Sequence, residues 1–182
     1  NVFCTTTKCF NAKEILQLAS LPTLNSNQFV QAYLTLYRLI TEKTDEQYFA
    51  IKKIIAKHGY DFEDKNLAEL FAYARNFCIS RVNAGQGKFF DELFELYQQG
   101  LQKRVLLLNG EINERNFKNI VTTALRTKQY DWTLQFINEY RYQLNKVVRE
   151  NAYNYNMANY LFHTGQYDKA LQYLNTQEYK CL

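Results

Sequence analysis

NAYNYNMANYLFHTGQYDKALQYLNTQEYKCL, residues 151–182, decides how the rest of the chain reads. It reads as two short helices folded back on each other, with the break at Gly165. In the first, Tyr153, Met157, Tyr160, Leu161 and then His163 or Thr164 recur at three- and four-residue spacings, with the small Ala158 among them. Gly165 suits the left-handed residue that ends a helix without a Cβ penalty. Asp168 falls in the first turn of the second helix, where the dipole favours a carboxylate. Ala170, Leu171, Tyr173 and Leu174 repeat the apolar spacing. Ala158 and Ala170 let the two helices approach while Tyr and Leu side chains fill around them.

Working backwards, Gln129-Tyr130-Asp131 matches Gln166-Tyr167-Asp168 at a spacing of 37 residues, and Phe89 stands in the same place 41 residues before Tyr130. Periodicity predicts helices over 113–127 and 130–145, forming a pair like the last one. Before them, Asp64 starts a long helix through Val82, with Leu67, Leu70, Phe71, Ala74, Phe77, Cys78 and Val82 apolar. The turn NAGQG, residues 83–87, leads to a partner helix over Lys88 to Leu108. A phosphate-cradling loop needs a strand before it, so this glycine-rich stretch reads as a turn. Asn109-Gly110 resembles a β-hairpin turn, but its flanks lack alternation, and it is taken as a helix–helix connection. A first hairpin is expected from Ser26, as N-cap, to about Thr41, and from Thr44 or Asp45 to His58, ended by Gly59. Asn1 to Phe10 reads as an irregular lead-in, Asn11 to Ser20 as a short helix, and Leu21 to Asn25, with the single Pro, as a loop.

The closing stretch resembles a tetratricopeptide (TPR) repeat. The resemblance rests on Ala158, Leu161, Gly165, Tyr167, Asp168, Ala170, Leu171 and Leu174, in the family's small, large, Gly-x-Tyr-Asp-x-Ala-Leu, large order. Asn154 stands where the family has Trp. The resemblance implies an all-α fold, an α-solenoid of stacked antiparallel hairpins with about eight or nine helices. The whole chain is expected to be one helical-repeat domain. Its clearest repeats are 113–146 and 150–182, with divergent hairpins at 26–58 and 64–108. Spacings of 37 and 41 exceed the family's ~34 residues, which implies longer loops or helices. No hairpin buries both its faces alone, so stability is expected to come from contacts between neighbours.

Composition bounds the reading further. At 182 residues the chain can build a continuous core, and 15 Tyr and 13 Phe supply its bulk. Residues 1–99 carry eleven basic against eleven acidic side chains, and 151–182 two against two. The net charge of +4 therefore arises between Gly100 and Glu150, with nine basic and five acidic residues. That excess is far below the basic density of a dedicated nucleic-acid binder. No apolar run approaches the ~18 residues needed to cross a bilayer. Cys4, Cys9, Cys78 and Cys181 show no disulfide framework, and with only His58 and His163 a four-ligand zinc site is not expected. A reducing, cytoplasmic setting is the simpler reading. The chain opens on Asn1 without a leader pattern and is expected to belong to a longer protein.

No catalytic constellation is visible, so no enzyme activity, metal or cofactor is expected. Asp61, Glu63 and Asp64 lack calcium-loop spacing and read as a solvated turn before a helix. In TPR proteins the first helix of each pair lines an inner surface that holds peptides. Carried over residue by residue, that resemblance implies a groove of Tyr155, Asn156 and Asn159, with His163, in the last pair. The preceding pair would add Arg115, Lys118, Asn119, Thr122 and Arg126, and the one before it Arg81. Cations and amides in such a groove suit acidic side chains or a terminal carboxylate. The Lys-Asn and Lys-Arg order of the family's carboxylate clamp is absent. The expected function is thus a scaffold or adaptor binding a peptide or protein segment. A helical-repeat nucleic-acid binder and the docking domain of a longer enzyme are the alternatives. Tyr173 and Leu174 should leave an apolar face at the C-terminal end for an oligomer, a further domain or another protein.

Overall fold

The computed structural model describes residues 27–175, and all of its regular elements are helical except one very short hairpin. The expectations for the lead-in, the helix over Asn11 to Ser20, the proline loop and the Ser26 cap lie outside the described residues. Eight α-helices appear among the described residues, packed mostly as sequential neighbours. The chain divides into two compact units, one ending at Phe77 and the other beginning at Cys78.

In the first unit, α1 (Gln28–Glu42) and α2 (Asp45–His58) pack against each other. Asn27 caps α1, its Oδ1 accepting from the N–H groups of Phe29 at 2.9 Å and Val30 at 3.3 Å. Lys43 closes α1 with a left-handed backbone, and Thr44 caps α2 by accepting from the Gln47 N–H at 3.4 Å. Gly59 follows α2, and His58 Nδ1 lies 3.2 Å from Asp61 Oδ2 across the turn. The long helix α3 (Asp64–Asn83) starts where the sequence predicts. Its Phe77 ring stacks on Tyr48 of α2 at 5.3 Å, and Phe62 meets Phe29 edge-on at 4.9 Å. Ala32, Leu36, Ile51, Ile55, Leu70 and Phe71 complete this core.

The second unit contains α4 (Phe89–Gln102), α5 (Glu114–Arg126), α6 (Tyr130–Tyr140), α7 (Arg149–His163) and α8 (Tyr167–Asn175). Two expectations are corrected between α4 and α5. The helix predicted to reach Leu108 stops at Gln102. Asn109-Gly110 is a β-turn after all, joining β1 (Leu107–Leu108) to β2 (Glu111–Ile112) in an antiparallel pair. Both turn residues have positive φ, 53° and 82°, the geometry for which Asn-Gly is favoured in tight hairpins. Two-residue strands are too short for alternation to show in the sequence. The chain also turns because Leu106 packs onto Gly100, where an added Cβ would come 3.0 Å from Leu106 Cγ.

The helix expected to run to Asn145 ends at Tyr140 and passes into a single 3-10 turn, Arg141–Gln143. Leu144, fully buried, then forms a parallel bridge with Ile112. That bridge pulls the α6–α7 connection back onto the start of α5. Arg149 holds the same connection, donating from Nη2 to the carbonyls of Leu144 at 2.9 Å and Tyr142 at 3.0 Å.

An aromatic cluster centres on Phe136, which is 2% exposed. Its ring lies 5.1 Å from Phe117 of α5, 5.3 Å from Trp132 and 4.8 Å from Tyr140. Trp132 in turn meets Phe94 of α4 edge-on at 4.9 Å. Three helices are thus joined through one set of rings.

The two turns at α5–α6 and α7–α8 are built alike. The Gln129 N–H donates to Ala124 O and the Lys128 N–H to Leu125 O; 37 residues on, Gln166 donates to Leu161 O and Gly165 to Phe162 O. This is the bonding of a Schellman cap, which satisfies the last carbonyls of the helix. Thr127 and Thr164 each turn a hydroxyl back onto carbonyls of their own helix. Lys128 takes the left-handed conformation that Gly165 takes, at φ 59° and 77°.

Truncating Phe136 to Ala should cost about 3–5 kcal/mol in urea unfolding, because the cavity opens where three helices meet. Gly165→Ala should cost about 1–2 kcal/mol through backbone strain alone, since no atom lies within 4 Å of the added Cβ.

Candidate functional site

Helix α5 is amphipathic, with Phe117, Ile120, Val121, Ala124 and Leu125 buried and Arg115, Lys118 and Arg126 exposed. Asn113 positions its start by accepting from the Asn116 N–H at 2.8 Å. Asn119 and Thr122 are half-buried along the same stripe, four residues on from Arg115 and Lys118 respectively. Helix α7 packs on α5, skipping α6 in sequence, so the first helices of the last two pairs lie together.

Lys118 and Tyr155 meet across that contact, with the Lys118 Nζ 5.0 Å from the centroid of the Tyr155 ring. A cation over an aromatic face is held by the ring quadrupole, for roughly 0.5–1 kcal/mol at an exposed site. Tyr155 is 40% exposed and Asn159, one turn further along α7, is half-buried. Of the residues implied for a groove, α5 and α7 therefore bring Arg115, Lys118, Asn119, Thr122, Arg126, Tyr155 and Asn159 onto adjacent helices.

Two others are placed differently. Asn156 is 1% exposed and donates from Nδ2 to the Ala152 carbonyl at 2.7 Å, so it is a packing residue rather than one open to a ligand. Arg81 is half-buried in the last turn of α3, where a cation meets the negative end of the helix dipole.

The sequence reading missed one concave feature of this unit. A cleft of about 370 Å³ runs between α7 and α8, lined by Tyr155, Asn159, Phe162, Tyr167, Leu171 and Leu174, with Ala158 and Ala170 at its floor. Phe162, Tyr167 and Leu171 are 60%, 59% and 57% exposed. An apolar face was expected here from Tyr173 and Leu174, yet these two are half-buried, and the exposed residues are their neighbours. In the structure Phe162 and Leu171 share one side of the hairpin with Tyr155 and Tyr167.

Below the cleft, an Arg–Tyr cluster fixes the base of the hairpin. The Arg141 guanidinium lies 4.0 Å from the centroid of the Tyr153 ring, and its Nη2 donates to Glu150 Oε1 at 2.6 Å. The hydrogen bond to Glu150 raises the Arg141 pKa. Tyr153 meets Tyr173 of α8 edge-on at 6.2 Å. Burial, and then the Tyr173 charge and hydrogen bond, push the Tyr153 phenol above its ordinary value.

Among the described residues, no group of three or more His, Cys, Asp and Glu is placed to hold a metal ion. No helix among them is long and apolar enough to cross a membrane.

Tyr33, Tyr73, Tyr140 and Tyr153 all have raised phenol pKa values, burial being the first cause in each. A raised folded-state value means the protonated form is favoured by folding. Their contribution is complete below the unfolded value of about 10 and is lost as pH rises through the folded values. Unfolding midpoints should hold steady up to about pH 10 and then fall. Tyr153→Phe should flatten part of that fall, read by circular dichroism across the alkaline range.

No protein-family model matches this chain, and neither a curated protein nor a solved structure shows significant similarity to it.

Proposed function

We propose that this chain is a non-catalytic, TPR-like stack of helical hairpins that binds a peptide or protein segment along the α5–α7 face, as a scaffold or adaptor. The observation that carries the reading is the Lys118–Tyr155 contact between exposed surfaces of two packed first helices. Arg115 and Arg126 extend the cationic stripe on α5, while Asn159 supplies an amide on α7. Such a face suits a segment bearing carboxylates, through charge-assisted hydrogen bonds.

The recurrence of one turn chemistry 37 residues apart supports the stacked-hairpin reading. The 3-10 turn and bridged connection after α6 account for a spacing longer than the ~34 residues usual for TPR units. Energetics require more than charge. Micromolar binding needs about 8 kcal/mol, whereas an exposed ion pair supplies about 0.2–1 kcal/mol. Tyr155 and its apolar neighbours are therefore the anchors, and the α5 cations set orientation and preference.

The test is a salt titration of peptide binding by fluorescence anisotropy, using an array of Glu-rich and Lys-rich peptides. Glu-rich peptides should bind, weaken with salt, and lose at least about tenfold in affinity on combined Arg115→Glu, Lys118→Glu and Arg126→Glu substitution. Equal binding of both peptide classes, or an unchanged affinity in the triple variant, would reject the reading. Tight binding of single-stranded RNA at low salt, lost in the same variant, would favour nucleic-acid recognition instead.

A further inference from the structure

The cleft between α7 and α8 has an internal precedent. Shifted by 37 residues, its lining maps onto the α5–α6 pair: Ala158 onto Val121, Phe162 onto Leu125, Ala170 onto Thr133 and Leu174 onto Ile137. On α5–α6 the equivalents of Phe162 and Leu174 are covered, with Leu125 2% exposed and Ile137 fully buried; Val121 and Thr133 are buried like Ala158 and Ala170, and Leu134, the equivalent of Leu171, is half-buried. Helix α7 contacts both α5 and α6, and α4 packs on the same pair through α5 and Trp132. One pair later the same seam is open, and Phe162 and Leu171 stand in solvent. A helix is thus the kind of element that packs on the preceding pair.

Charge decides which kind of helix fits. The lining includes no carboxylate, and Tyr155, on its edge, carries the Lys118 ammonium. Arg115 and Arg126 are exposed on the adjoining α5, while Asp168 and Lys169 in the first turn of α8 offset one another. Tyr155, Phe162, Tyr167 and Leu171 offer apolar contact on both walls, and the alanine floor leaves room for a close helix backbone.

We propose that the α7–α8 cleft receives an amphipathic helix of an acidic partner protein, its apolar stripe seated between Phe162 and Leu171 and its carboxylates turned towards Lys118. This rests on the reading of the α5–α7 face as a protein-binding surface and locates the partner's apolar anchors beside it. Recognition then combines a helix laid in a groove, read at i, i+3, i+4 and i+7, with a cationic rim.

The experiment uses two designed helical peptides with the same Leu and Ala stripe, one with Glu at the remaining positions and one with Lys. Binding to the full chain is read by fluorescence anisotropy, and self-association by sedimentation. The Glu peptide should bind and become helical. Phe162→Glu and Leu171→Glu, both at exposed positions, should each weaken it by at least about tenfold with the helical spectrum of the protein unchanged. Lys118→Glu should weaken the Glu peptide and strengthen the Lys peptide. If the Glu peptide depends on the α5 cations but not on Phe162 or Leu171, the α5–α7 face stands and the cleft assignment falls. If neither set of substitutions matters, both fall. Concentration-dependent dimers abolished by Phe162→Glu would assign the cleft to a second copy. A gain of more than about tenfold in peptide affinity on deleting residues 176–182 would assign it to the chain's own end; either result overturns the proposal.

Discussion

Phe136 is the point on which the second unit depends. Its ring touches Phe117, Trp132 and Tyr140, and through Trp132 it reaches Phe94, so α4, α5 and α6 share one aromatic set. Aromatic pairs add roughly 0.5–1.5 kcal/mol to the area they bury, and here several converge. Hairpins of this length are not stable alone, because a nucleated helix gains most of its stability from packing. The ring cluster supplies that packing for α5 and α6. With those two helices fixed, α7 has a surface to lie on, and α8 has α7.

Away from this centre the character of the contacts changes. Around α7 and α8 the buried residues are small, Ala152, Ala158 and Ala170, with Met157 and Leu161. The hairpin is braced at its base by Arg141, Glu150 and the Tyr153–Tyr173 pair. Stability at this end comes from close approach and a polar brace rather than from large rings. Large rings are present, but Phe162 and Tyr167 lie outside the core, 5.5 Å from each other. Side chains of this size left on the surface are where binding energy would be available to a partner.

Helix positions were the most legible part of the sequence, because a long apolar period leaves little choice. α3 runs from Asp64 as its spacing predicts, and the breaks at Gly85 and Gly165 both have positive φ. The turn at Lys128 was harder to read, since lysine in a left-handed conformation carries no compositional mark. Leu106 and Leu108 continue a helical spacing beyond Gln102, and only the Gly100–Leu106 contact and the Asn109-Gly110 turn show why the helix stops. Of the site, the cationic stripe on α5 followed from the resemblance to a TPR unit, carried over residue by residue. The burial of Asn156 was not readable, because a polar residue on a first helix looks the same whether it faces water or the neighbouring hairpin. The cleft was hidden for the opposite reason: Phe162 and Leu171 look like core until the neighbour that would cover them is sought.

The bridge between Ile112 and Leu144 has a consequence for how the molecule opens. It joins the entrance of α5 to the exit of α6, so that pair is closed into a backbone ring and cannot lose one helix without breaking the bridge. No such tie is formed by α8 among the described residues, where its main packing is against α7. Within the second unit, amide protons should therefore exchange faster in α8 than around Phe117 and Phe136. A partner seated on α7 and α8 would slow exchange there, so this hairpin would report directly on occupancy.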